Sequence, residues 1–305
     1  MSMFAVPRVL QAELFACLPE AFRSGQPDQG WAARQSATHR RSVLEGPSFD
    51  VAGNFYFVDV PQGCIYRIPP GGAVELVVKY DGLPNGLKIH KDGRIFVTDQ
   101  KRGLMLLDPV GGHITSYLTE TRFGPFKGLN DLFFARNGDL YFTDQGGTGL
   151  NDPSGRLFRL RPDGAVSCLV DNIPSPNGLV MNLEETAVYL AVTRGNCIWR
   201  VPLTPDGDAA RVGVFVQLSG GIGPDGLALD ALGRLAIAHA GLGTVWVVDA
   251  RGEPVYRIMS PTGWHVTNLA FGGQEGRSLF FTEADSASIW RVELETPGKP
   301  MYSHQ

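Results

Sequence analysis

Six polar side chains recur along the 305-residue chain in one short local setting. Glu45, Asn85, Asn130, Asn177, Asp225 and Asn268 each follow a small or proline-flanked segment. Most precede a glycine and an apolar residue, as in Pro84-Asn85-Gly86-Leu87 and Pro224-Asp225-Gly226-Leu227. The steps between them are 40, 45, 47, 48 and 43 residues. All six offer carboxylate or amide oxygen; none offers sulfur or imidazole. Such a set suits a hard cation, calcium above all, with magnesium, manganese or zinc as other divalent candidates. Glu45 and Asp225 bring two negative charges that would balance a divalent ion. Without one, two carboxylates in a narrow space repel, and one tends to keep its proton. A single Pro-Asn-Gly is an ordinary turn. The sixfold repetition is what suggests a site, and Asn85 and Asn268 read equally well as turn or supporting residues.

Side chains this far apart meet only if the fold brings them round to one axis. Each motif is followed at a near-constant distance by a short apolar run, such as GNFYFVD at 53–59, GRIFVTD at 93–99 and GDLYFTD at 138–144. A third run and, in most copies, a fourth come next, separated by turn dipeptides such as Asp92-Gly93 and Asn137-Gly138. Four strands in each repeat of about 45 residues predict an all-β, six-bladed β-propeller. The sixth repeat lacks its outer strand, because the chain ends in ETPGKPMYSHQ. The segment Ala12–Leu18 resembles the missing strand and is expected to close the ring. One domain over residues 1–305 follows. The motif precedes the inner strand of each blade, so all six copies should face one end of the central channel.

Composition narrows the function classes. Hydrophobic residues make up 43% of the chain, with 38 glycines and 21 prolines, which fits many short strands and turns. The net charge is −4, and no run of Lys or Arg exceeds two residues, so no nucleic-acid or anionic-membrane footprint is expected. No apolar stretch reaches membrane-spanning length, and the N-terminus lacks the pattern of a signal peptide. A cytoplasmic protein follows as the expectation. Cys17, Cys64, Cys168 and Cys197 form no CxxC pair and lie in or beside apolar runs, as reduced buried thiols do. There is no GxSxG nucleophile elbow, P-loop or dinucleotide fingerprint.

At EGPSFD, PNGLKIHKDGRIFVTD, LNDLFFARNGDLYFTD, SPNGLVMN and GPDGLALDALGRL the sequence resembles the gluconolactonase and regucalcin (senescence marker protein) family, over roughly residues 40–295. GDLYFTDQGGTGLNDPSGRLFRLRPDG is similar to bacterial lactonases of that group. The resemblance implies a channel-bound metal, most often calcium, held by Glu45, Asn177 and Asp225. Asn130 matches a position that binds metal or substrate in relatives, and Asp131 beside it is the next candidate. Sugar-lactone members carry an arginine two residues before the third-blade asparagine; here that position is Gly128, with Lys127 before it, which argues against strict aldonolactone specificity and leaves room for a less polar lactone.

Metal-assisted opening of a small-molecule lactone is the expected reaction, with Asp225 as general base and Asn130 and Asn177 holding metal and substrate. Direct attack by Asp225 is the alternative. Lys127, Asp131, His265 and Trp31 are candidate substrate contacts, with His265 as a possible proton shuttle; His239 is placed farther from the channel. Residues 19–41 form a long connection over the channel face, where Trp31 and Phe22 are available as an apolar cover. Rival readings are a phosphotriester hydrolase of the same architecture, a propeller that binds a partner without catalysis, and calcium binding without turnover. The sequence leaves the oligomeric state open.

Overall fold

The computed structural model describes residues 6–34 and 41–305. Six antiparallel sheets follow one another in sequence. Their inner strands are Leu44–Phe49, Pro84–Ile89, Leu129–Phe134, Pro176–Met181, Gly223–Leu229 and Val266–Gly272. Each lies against the inner strands of the blades before and after it, and the sixth lies against the first, so the ring is closed. The predicted six-bladed propeller is borne out.

The apolar runs become the second strands, from Phe55–Asp59 in blade one to Ser278–Glu283 in blade six. All six are buried at every position. They pack between neighbouring blades on both faces, which is why they read as unbroken apolar runs rather than alternating ones. Acids at the strand ends serve the loops. Asp59 accepts from the Val43 N–H, Asp99 from that of Leu83, and Asp144 from those of Lys127 and Gly128. Each fixes the segment leading into an inner strand.

Threonine hydroxyls tie blades together. Thr98, Thr143, Thr193 and Thr267 donate across the blade junctions to the carbonyls of Asn130, Asn177, Pro224 and Leu44, at 2.5, 2.9, 2.8 and 2.6 Å. Each such bond contributes on the order of 1 kcal/mol net.

The chain ends close the ring. Glu13–Cys17 pairs antiparallel with Ser288–Glu293 as the outer strand of blade six, as expected. Its Phe15 enters the junction of blades six and one, with ring centroids 4.9 Å from Phe280 and 5.8 Å from Phe55. Two features were not expected. Arg8–Gln11 adds a fifth, parallel strand to blade five beside Pro254–Met259. The C-terminal residues fold into the end of the channel opposite the motifs, where Lys299, Met301, Ser303 and His304 line a cavity together with inner-strand residues. Tyr302 stacks on Phe134, with centroids 5.6 Å apart.

The connection at 19–41 carries two short helices in its described part, Glu20–Arg23 and Gln29–Arg34. Asp28 caps the second, accepting from the Trp31 N–H at 2.8 Å. Residues 35–40 lie outside the described residues. Thiol placement differs from expectation in part: Cys64 and Cys197 are buried, whereas Cys168 is half-buried and Cys17 is exposed. Cys17 lies on an outer strand, where one face meets solvent.

Candidate metal centre in the channel

Every inner strand slips register at the same place. In blade two Pro84 pairs with Asp99, but Leu87 pairs with Val97. The same slip separates Leu129 from Leu132, Pro176 from Leu179, Pro224 from Leu227 and Val266 from Leu269. A bulge re-aims the side chains at the slip, and here it turns the motif residues to the channel.

The shared register corrects the sixth motif. Thr267, not Asn268, occupies the position equivalent to Asn85, Asn130, Asn177 and Asp225, and Asn268 is equivalent to Asp131. The leucine that ends most copies of the motif carried this signal, since Thr267-Asn268-Leu269 aligns with Asn85-Gly86-Leu87. In the other four blades this next position is glycine. Gly86 and Gly226 leave the space that Asp131 and Asn268 fill: a methyl group on Gly86 would lie 2.6 Å from Asp131 Oδ1, and one on Gly226 would collide with the Asn268 amide.

The channel therefore carries two polar layers. Above lie Glu45, Asn85, Asn130 and Asn177, all buried, with Asp225 partly exposed. Below lie Asp131 and Asn268. The Asn268 amide bridges them, donating to Glu45 Oε2 at 2.8 Å and to Asp131 Oδ2 at 3.3 Å. The amides of Asn130 and Asn177 donate outward, to Gln145 Oε1 at 3.0 Å and to Thr193 Oγ1 at 3.2 Å. That leaves Oδ1 of Asn130 and Asn177, and Oδ1 of Asn85 likewise, buried without a hydrogen-bond donor. An orphaned buried oxygen is costly unless something positive meets it.

The carboxylates share this excess of negative potential. Burial pushes the Glu45 carboxyl well above the usual range, and repulsion from Asp225 and Asp131 adds to it, against hydrogen bonds from Asn268 and Gly46. Asp225 is pushed up to about 8, by burial first and by Asp131 second, while Asn177 and Arg194 act the other way. No three of His, Cys, Asp and Glu gather as metal ligands among the described residues. The donor set owes half its members to amides. Inward amide oxygens beside strained carboxylates fit a hard divalent cation.

The other predicted residues divide. Asp131 joins the set from below. Trp31 is buried against blades one and two, yet also lines a cavity of about 530 Å³ on the motif face, with Gln100, Gln145, Thr193 and Arg194. Phe22 packs instead on Tyr66 at the ring's flank. Lys127 donates to Ser154 Oγ and lines a separate pocket beside Phe123 and Arg156, so the structure does not bring it to the cavity above the asparagines. His265 Nδ1 lies 2.9 Å from Asp285 Oδ2. His239 is fully buried between the Trp246 N–H and the Gly220 carbonyl, and burial lowers its pKa. Gln145, Thr193 and Arg194 were missed. They follow second strands in two unremarkable loops, and only the ring places them together.

Comparison with known proteins places the chain in a family of propellers. Residues 43–285 match the family described as SMP-30/gluconolactonase/LRE-like region. Lactonase drp35 of Staphylococcus aureus (strain MW2) is 31% identical over 276 residues, covering 85% of this chain and 81% of the relative. A gluconolactonase of Zymomonas mobilis is 29% identical, covering 83% and 79%. The crystal structure of a calcium-binding protein, regucalcin, from Agrobacterium tumefaciens superposes with a TM-score of 0.77 at 21% identity, covering 98% of this chain and all of that one. At that identity the superposition speaks for the fold. The matched region takes in all six inner strands, and the chain belongs to the SMP-30/gluconolactonase/LRE-like family.

Proposed function

We propose that the protein is a calcium-dependent lactonase, and that Glu45, Asn130, Asn177 and Asp225 hold the ion. The observation that carries this reading is the trio of donor-less amide oxygens beside two carboxylates whose protons are held by burial and mutual repulsion. The relatives named lactonase and gluconolactonase support the reaction class. The whole ring serves as one domain, acting in the cytoplasm on a small molecule.

A divalent cation bound there supplies Lewis-acid polarisation of the ester carbonyl and keeps Asp225 ionised near neutral pH. The chain's own residues do the rest. Gln145 and Thr193 fix the Asn130 and Asn177 amides so that Oδ1 stays turned to the axis. Asp225 takes a proton from water as the water oxygen attacks the carbonyl carbon. It returns that proton to the ring oxygen as the ring C–O bond breaks, leaving a hydroxy acid. General-base help of this kind is worth about 10²–10⁴ in rate. Asp131 and Asn268 support the set from beneath, and Trp31 with the glycine-rich loop from Gly146 walls the substrate cavity.

The test is a panel of aldonolactones, aryl lactones and simple γ-lactones on chelated protein. Turnover should vanish with chelator and return with calcium. Activity that survives chelation, or a phosphotriester hydrolysed faster than every lactone, would overturn the reading.

A further inference from the structure

We infer that the lactone carries a carboxylate, and that Arg194 binds it. This rests on the lactonase reading and names the substrate class for the same site. Arg194 lies directly after Thr193, whose hydroxyl holds the Asn177 amide, so its backbone is fixed one residue from the channel set. It is the one charged side chain among the described residues lining the 530 Å³ cavity. The rest of that wall is uncharged, with polar groups from Gln100, Gln145, Thr148, Asn151, Ser175 and Thr193 among others. Asp144 and Glu185 elsewhere take up Arg156 and Lys299 in ion pairs, but no carboxylate among the described residues pairs with Arg194. It is solvent-exposed on the cavity side.

Charge balance gives this meaning. Arg194 attracts the Asp225 carboxyl, and once an ion is held by Glu45 and Asp225 the guanidinium is the charge that the cavity wall offers to a substrate anion. A guanidinium presents a planar fork that matches a carboxylate with two parallel hydrogen bonds. A neutral hydroxymethyl group gains little from it. A charge-assisted bond of this kind is worth about 1.5–3 kcal/mol, or roughly 10- to 100-fold in affinity. The reading also replaces the expectation of a less polar lactone drawn from Gly128. The cavity wall does carry an arginine, from blade four.

The discriminating pair is D-galactono-1,4-lactone and D-galactaro-1,4-lactone, which differ in a hydroxymethyl group against a carboxylate. Calcium-loaded protein should favour the galactaro compound at least about tenfold in kcat/KM, mostly through KM. R194M should bring that ratio toward one, and R194K should restore part of it. Equal turnover of the two lactones by the unaltered protein, or the same proportional loss on both in R194M, would overturn the inference. Calorimetry with the open-chain dicarboxylate galactarate separates this from the lactonase reading. Binding that is lost in R194M, with no lactone turned over, would keep the anion site and sink the hydrolase. Binding unchanged in R194M would sink the anion site.

Discussion

The two ends of the channel are built from the same six strands and differ in nearly every chemical respect. At the motif end the strands contribute Glu45, Asn85, Asn130, Asn177 and Asp225, with Asp131 and Asn268 beneath. Past the bulge the equivalent positions are Ser48, Lys88, Phe133, Val180, Ala228 and Ala270. They line a cavity of about 50 Å³, closed by the C-terminal segment. One end gathers oxygen and leaves it short of partners; the other is mostly apolar and filled by the chain itself. The repeat supplies the same scaffold to both ends, and the one or two residues per blade at the bulge make the motif end oxygen-rich.

The largest effect expected from breaking this contrast is at Asp225. Asp225→Ala removes the proposed base and a charged ligand together, and lactone turnover should fall by about 10³-fold or more. Retention of activity within tenfold in a steady-state assay would remove Asp225 from the mechanism.

At the other end, Tyr302→Ala empties a buried ring position against Phe134 and His90. Denaturant unfolding should show a loss of about 2–4 kcal/mol, with calcium affinity within a few-fold of the parent. A stable variant would mean that the tail is not structural.

Chelated protein should also lose stability as pH rises. Asp225 keeps its proton up to about pH 8 when folded, whereas its ordinary value is 3.8. The folded state binds more protons between those values, so stability is greatest at the acid end of that window and declines toward pH 8. Melting curves of chelated protein should show that decline, and calcium should abolish it. A melting temperature that rises across the window would contradict the electrostatics of the site.

The smallest effect is expected at the lower polar layer. Asn268→Ala removes the bridge between Glu45 and Asp131 and should weaken calcium binding by about tenfold, as loss of one hydrogen bond to a charged group does. Thr267→Val, which cuts the tie to the Leu44 carbonyl, should lower the melting temperature and leave affinity nearly unchanged. The reverse pattern would restore the register first read from the sequence.

The ring was legible because its signals are local and repeated. GRIFVTD and GDLYFTD announce second strands, and the missing outer strand of blade six pointed to Glu13–Cys17. Convergence of Glu45 with Asp225 followed from topology once the blades were counted. What escaped was non-local or unrepeated. Arg8–Gln11 has too short a run to stand out, and its parallel pairing depends on blade five being already in place. Lys299–Gln305 contains no periodic pattern, and its burial depends on a hole that only the closed ring creates. Arg194 sits in a Thr-Arg-Gly turn with nothing to mark it until blade four is set beside the substrate cavity. Lys127 looked suitable from its place before Gly128, but its side chain turns outward to Ser154.

Calcium titration of chelated protein by calorimetry, at pH 7 in two buffers of different ionisation enthalpy, tests the central claim most directly. The account predicts one ion per chain, with proton release on binding because Asp225 gives up the proton that burial holds there, and less release in Asp225→Ala, where Glu45 alone is left to give one up. Absence of calcium binding, or binding whose proton release is the same with and without Asp225, would contradict it.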